Sequence, residues 1–181
     1  MDEILQKIHD CVANGKINAA SPFPPALRGK PGAAEYTQEA LKQGFKPGDI
    51  MNEAMIPAMG EVGEKFSQGK IFVPQMLMAA KAMNAGLSFI KPYFSSGDVK
   101  IKGTFIIGTV FGDMHDIGKN LVAMMVEGSG YKVIDLGIDC SVDKYEKALD
   151  ENPDAIVGLS ALLTTTMTNM KTIIDTIHSK H

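Results

Sequence analysis

Between residues 104 and 126 the chain runs from Thr104-Phe105-Ile106-Ile107-Gly108-Thr109-Val110, through Gly112-Asp113-Met114-His115-Asp116-Ile117-Gly118-Lys119-Asn120, into Leu121-Val122-Ala123-Met124-Met125-Val126. A β-rich apolar run, a Gly/Asp-rich turn and a helix-like apolar run make the first half of a βαβ unit. The alternation continues: strand 103–110, helix 117–128, strand 132–136, helix 142–150, strand 155–160 and helix 165–178 are expected. That order calls for a parallel sheet with right-handed crossovers. In open α/β sheets ligands sit at the carboxyl ends of the strands. His115 stands there, with Asp113 two residues before it and Asp116 directly after.

A lone histidine at a strand end is by default a polar loop residue. A phosphate loop is the next reading, because Gly112 and Gly118-Lys119 resemble G-x-x-x-x-G-K-[ST]. Five residues separate these glycines instead of four, and Asn120 stands where the magnesium-binding hydroxyl belongs, so that reading fails on spacing. A metal ligand fits better. Neutral imidazole binds metals well when a carboxylate holds its second nitrogen, and Asp113 and Asp116 are both near enough in sequence to do so. One imidazole cannot hold a bare ion tightly, and no Cys or His at ligand spacing accompanies it. A lone ligand makes sense where the metal arrives inside a macrocycle that already supplies four donors.

The first half of the chain reads as helices. Ile4, Leu5, Ile8 and Val12 recur at helical spacing over residues 2–14, and Pro22, Pro24, Pro25 and Pro31 make 19–32 a loop. A helix over 33–43 stops at Gly44, and Lys46-Pro47-Gly48-Asp49 is a turn with Asp49 as the expected N-cap of the next helix. That helix puts Ile50, Ala54, Ala58, Val62 and Phe66 on one stripe, with Pro57 expected to bend it. Pro74 then opens a helix of about twenty residues that is apolar nearly all round, as suits a helix buried on most sides. Four helices with short connections imply a bundle. Ser95-Ser96-Gly97-Asp98 reads as the linker between a helical domain, 1–95, and an α/β domain, 100–181.

No run of 18 uncharged apolar residues exists to span a membrane, and Asp2 and Glu3 stand where a secretory signal would be basic. The two cysteines, Cys11 and Cys140, make no disulfide framework, which suits a reducing cytoplasm. A net charge of −3 gives no electrostatic case for nucleic acid. Twelve methionines are adaptable fillers, suited to an irregular core or to a flat apolar ligand.

Asp113-x-His115-Asp116-x-Gly118-Lys119-Asn120 resembles the D-x-H-D-x-G-K-N signature of cobalamin-binding domains in methionine synthase and in corrinoid proteins of methyltransferase systems. Gly69-Lys70-Ile71-Phe72-Val73-Pro74-Gln75-Met76-Leu77, Val133-Ile134-Asp135-Leu136-Gly137 and Gly158-Leu159-Ser160-Ala161-Leu162-Leu163-Thr164 are similar to that family too, in the same order. The resemblance implies an N-terminal helical cap and a flavodoxin- or Rossmann-like domain of strand order 2-1-3-4-5, with the ligand crevice at strands 1 and 3.

It also implies that cobalamin binds with its benzimidazole tail displaced, so that His115 becomes the lower ligand of cobalt. Asp113 orients His115, and Thr166 extends that hydrogen-bonded chain. Asp116, Gly118, Ser160 and Thr164 lie along the cofactor, Thr164 or Thr165 doubling as a helix cap, and Phe72, Met76 and Met83 face the upper side of the ring. The family continues with two further strands and a helix beyond the third helix, whereas this sequence stops at His181. A three-stranded sheet leaves strand 3 as an edge for a partner or a second copy to cover, and is expected to retain the cofactor less tightly.

The implied function is that of a methyl carrier. It takes a methyl group from a substrate-specific methyltransferase and yields it to a second methyltransferase with a tetrahydrofolate or thiol acceptor, with a reductive activator of the cobalt as a third partner. The helical cap swings about the linker to admit each partner. The other readings are a cobalamin-dependent sensor, which needs a DNA-binding segment not visible in the first 35 residues, a small mutase subunit, which lacks the helical cap, and a corrin-free flavodoxin-like interaction domain.

Overall fold

In the computed structural model, residues 2–94 and 101–180 are described. The chain divides into two compact units, one of Met1–Lys100 together with Gly128–Gly130 and one of Ile101–Glu127 with Tyr131–His181. The linker expected at Ser95–Asp98 lies outside the described residues.

The helical unit is organised by burial. In α1 (Glu3–Ala13) the Asp2 carboxylate accepts from the Ile4 amide, and Ile4, Leu5, Ile8, Cys11 and Val12 form the buried face. Before α2 (Ala33–Lys42), Glu35 accepts the Gly32 amide at 2.9 Å and, with its other oxygen, the Ala19 amide at 3.0 Å, which ties down the proline-rich loop. The next helix does not start where the sequence suggests. Lys46 takes the cap position, and Asp49 is already helical at φ −68°, ψ −43°. Pro47 explains the shift, because its fixed φ and missing amide suit the first helical position.

A π-helical stretch, Ile50–Met55, follows, in which the Ile56 amide reaches back five residues to the Met51 carbonyl, and α3 (Ile56–Ser67) continues from it. Pro57, the expected bend, has no amide to give residue 53, and the widened turn sits directly before it. In α4 (Val73–Ile90) the buried residues spread round the helix, among them Met76, Ala79, Met83, Leu87 and Ile90. A Cβ on Gly86 would lie 2.5 Å from Met55 Cε, so the glycine permits that close approach.

In the second unit β1 (Thr104–Thr109), β2 (Lys132–Asp135) and β3 (Ile156–Ser160) form a parallel sheet of order β2-β1-β3. The register sets Thr109 beside Ser160 and Ile107 beside Gly158. Helices α5 (Ile117–Gly128), α6 (Val142–Glu151) and α7 (Thr164–Lys180) follow the three strands. Ile106 and Ile107 are both buried, as a central parallel strand covered on both faces requires. Ile106, Val110, Cys140, Tyr145, Leu149 and Ile173 form one core cluster. Strand β3 pairs with β1 on one side only among the described residues, and Ile156 on it is exposed.

Candidate functional site

The loop after β1 must reverse direction before α5, and Gly112 does so at φ +78°, a conformation that suits a residue without Cβ. Asp113 follows and is fully buried. Its Oδ1 accepts the His115 amide at 3.0 Å and faces His115 Nδ1 at 2.8 Å. Its Oδ2 accepts the Leu162 amide at 2.9 Å, the Leu163 amide at 3.3 Å and the Thr166 hydroxyl at 2.6 Å. The Thr166 hydroxyl also lies 2.9 Å from the Leu163 carbonyl, but it has one proton and the carboxylate is the stronger acceptor.

Five donors converge on one carboxylate. The Thr166 hydroxyl first, then the His115 and Leu162 amides and the His115 ring, hold Asp113 well below the usual carboxylate range, against the opposing effect of its burial. A folded-state pKa below the unfolded value stabilises the fold above the ordinary carboxylate pKa, and that contribution is lost as pH falls. At neutral pH Asp113 is therefore an anion that can only accept. The proton of a neutral His115 sits on Nδ1, and Nε2 is left with its lone pair.

The His115 side chain is 51% exposed, and its carbonyl is fixed by the Thr109 hydroxyl at 2.9 Å. A cavity of about 360 Å³ opens beside it, lined among others by Met114, Asp116, Gly118, Ser160 and Leu162. Asp116 does not hold the imidazole; it accepts from Asn120 Nδ2 at 3.0 Å. Gly118 faces open space where a Cβ would be, and Ser160 lies in the cavity wall. Thr164 opens α7 and is exposed, whereas Thr166 is buried. Phe111, Met114, Ile117, Leu162 and Leu163 are all exposed, an apolar surface gathered at the carboxyl ends of β1 and β3. In the helical unit Phe72 is 66% exposed, and Met76 and Met83 are buried.

Sequence spacing left three partners unseen. Lys119 is buried with its Nζ 2.5 Å from Asp135 Oδ2 and 2.7 Å from Asn120 Oδ1, so the signature lysine joins the first turn of α5 to the end of β2. Asp139 and Asn169 both bond the backbone of the His115 loop, at Gly112 and Phe111. Lys119 stands in the signature itself, but its partner Asp135 lies 16 residues on, at the end of another strand. For Asp139 and Asn169 no local pattern announces a contact 27 or 58 residues away.

The donor set fits a metal delivered inside a macrocycle. There is one free imidazole nitrogen, an apolar surface beside it, and no group of three or more His, Cys, Asp or Glu placed to hold a bare ion among the described residues. Fold and site together define a metal-macrocycle binder of parallel α/β type, preceded by a helical unit. Comparison with known proteins agrees: models of the B12 binding domain match residues 30–91 and, separately, 103–181.

Trimethylamine corrinoid protein 1 of Methanosarcina acetivorans is 45% identical over 140 residues, 76% of this chain and 64% of that protein. The dimethylamine corrinoid protein of Methanosarcina barkeri is 39% identical over 176 residues, 96% of this chain and 76% of that one. Among solved structures, the methanol:cobalamin methyltransferase complex MtaBC of Methanosarcina barkeri matches 99% of this chain with a TM-score of 0.81 at 30% identity, over 64% of its own chain. A cobalamin-binding protein from Desulfitobacterium hafniense matches with a TM-score of 0.69 at 26% identity, over 97% of this chain and 77% of its own. The chain belongs to the family of B12-binding corrinoid proteins. It spans 64% of the length of the trimethylamine corrinoid protein.

Proposed function

We propose that this chain is the methyl-carrying corrinoid component of a multi-part methyltransferase system, with His115 as the lower ligand of cobalt. The observation that carries the reading is the 2.8 Å contact between the buried Asp113 carboxylate and His115 Nδ1, which in the neutral ring leaves the lone pair on Nε2 for a metal. Bound cobalamin supplies a cobalt centre able to accept a methyl group and give it up again.

The chain's own residues hold and tune. Asp113 fixes the tautomer and orientation of the ring, and Thr166 holds Asp113 from the far side. Gly118 keeps the cavity open, Ser160 and Thr164 offer hydroxyls along the cofactor, and Asp116 bounds the cavity. For the upper face of the ring the proposed contacts are Phe72, Met76 and Met83. Phe72 has a free ring, whereas the two methionines would have to be uncovered.

The partners in this reading are a substrate-specific methyltransferase, a second methyltransferase with a tetrahydrofolate or thiol acceptor, and a reductive activator. The donor class is a small methylated amine or methanol, the compounds named for the relatives. The proposed location is the cytoplasm, in keeping with two buried free cysteines. No described helix is long and apolar enough to cross a membrane.

Reconstitution with hydroxocobalamin and with methylcobalamin tests the reading. The wild-type chain is expected to bind both with the benzimidazole displaced and histidine coordinated, and His115→Ala is expected to lose that histidine-coordinated absorption spectrum completely. Identical spectra for the two proteins would remove His115 as the ligand.

A further inference from the structure

One peptide group in the His115 loop is held at both of its polar ends by side chains outside the Asp113–His115–Thr166 chain. The Phe111 carbonyl accepts from Asn169 Nδ2 at 2.7 Å, from α7. The amide of the same peptide, that of Gly112, donates to Asp139 Oδ1 at 2.8 Å, from the connection between β2 and α6. Asp139 engages the loop a second time, its own amide donating to the Asp113 carbonyl at 3.1 Å. Among the described residues Asp139 alone is a non-glycine at positive φ, +50°. Such a backbone persists where surrounding bonds fix it.

The peptide between Phe111 and Gly112 is the one in the loop that could rotate most easily, because a glycine follows it. Rotation would exchange the directions of its carbonyl and amide and displace Asp113, on which the imidazole hangs. A carboxylate can accept only from the N–H, and an amide NH₂ can donate only to the C=O. The two side chains therefore select a single orientation.

We propose that Asp139 and Asn169 are positioning residues, a two-sided clamp on the Phe111–Gly112 peptide that sets the aim of His115 Nε2 towards the cobalt. The clamp rests on the reading of His115 as lower ligand. It adds two residues, neither of them in the cavity wall, to the machinery that sets the strength of that bond.

The test compares Asp139→Ala, Asp139→Asn and Asn169→Ala, each in the wild-type and His115→Ala backgrounds. In the chain without cofactor, exchange of the Gly112 amide followed by NMR is expected to quicken in Asp139→Ala and to return to the wild-type rate in Asp139→Asn, which keeps the accepting oxygen. Loaded with cob(II)alamin, Asp139→Ala is expected to show a smaller histidine-coordinated fraction, read from nitrogen coupling in the electron paramagnetic resonance spectrum, and about tenfold weaker binding. Asp139→Asn restores both.

In the His115→Ala background the same substitution should change affinity by less than about twofold, because there is no imidazole left to aim. Equal losses in the two backgrounds, or an unchanged histidine-coordinated fraction, overturn the clamp. Should Asp139→Ala fail to fold, Asn169→Ala carries the same expectations. A wild-type protein without the nitrogen coupling removes the lower-ligand reading and the clamp with it. Coupling in the wild type and in every variant alike removes only the clamp.

Discussion

Both units bury an apolar core and a charged side chain, and they differ in what surrounds the buried charge. In the helical unit large apolar side chains turn inward: Ile8, Val12, Met55, Met83, Leu87 and Ile90 are almost wholly buried. Its buried charge, Lys16, donates to the Ser21 carbonyl at 2.9 Å. In the α/β unit Phe111, Met114, Ile117, Leu162 and Leu163 turn outward between β1 and the start of α5 and in the loop after β3, while Asp113 in the first of those loops is fully buried. One unit is held by what it removes from water. The other, besides its own buried core, leaves apolar side chains exposed and fixes its loop by saturating a buried carboxylate with hydrogen bonds.

The difference can be broken from the helical side first. Ile8 on α1 is fully buried, and truncation leaves a cavity, so Ile8→Ala is expected to cost about 2–5 kcal/mol in urea or guanidinium unfolding. Residues 3–13 lie outside the part of the chain that the family model matches, so this loss would place α1 in the core of its unit. A change within experimental error would show α1 to be an appendage.

Gly158 gives the next largest effect, in the other unit. A Cβ there would lie 2.7 Å from Phe105 Cζ, on the register that sets β3 against β1. Gly158→Ala is expected to cost about 1–3 kcal/mol by overpacking, with the Phe105 ring displaced. An unfolding midpoint equal to wild type would mean that the ring yields freely.

Asp113→Asn sharpens the comparison through pH. The native carboxyl lies well below the ordinary range, so its contribution to stability is complete above the unfolded aspartate pKa of about 3.9 and fades below it. The variant is expected to be less stable than wild type at pH 7, with the gap narrowing as unfolding is repeated towards pH 3. A gap independent of pH would mean that the ionised state contributes nothing to the fold. Loaded with cobalamin, Asp113→Asn should keep the cofactor but change how the cobalt reduction potential varies with pH, because an amide cannot hold the imidazole proton as an anion does. Potentiometry across pH giving the same slope as wild type would count against the orienting role.

Much of this organisation was legible because it is local. The β-run, glycine turn and amphipathic run around Gly112 gave the first βαβ half, and the helix read over 117–128 coincides with α5, Ile117–Gly128. Spacing left Asp113 and Asp116 both within reach of His115, the resemblance pointed to Asp113, and the structure has Asp113 on the ring and Asp116 on Asn120. What spacing could not reach was the partner at a distance: Thr166 on Asp113 came from the resemblance alone, while Leu162 and Leu163 on Asp113, and Asp139 and Asn169 on the Phe111–Gly112 peptide, were not foreseen. The start of the third long helix was misread for a different reason. Asp49 is a good cap by type, but Pro47 two residues earlier had already fixed helical φ.

The smallest effect concerns the two thiols, one in each unit. Cys11 on α1 is pushed up to about 11 by burial, with Asp10 adding to the shift, and Cys140 in the α/β core is raised by burial as well. A thiol above its usual pKa is almost entirely protonated at pH 8, and the thiolate is the nucleophile. Both are expected to stay unreactive towards a disulfide reagent in the native protein and to react together once it is unfolded. In a partly denaturing solution the two part company: each thiol reports the opening of its own unit, so the order in which Cys11 and Cys140 become labelled ranks the stabilities of the helical and α/β units. Prompt labelling of Cys11 in native buffer would mean that α1 opens far more often than its buried face allows.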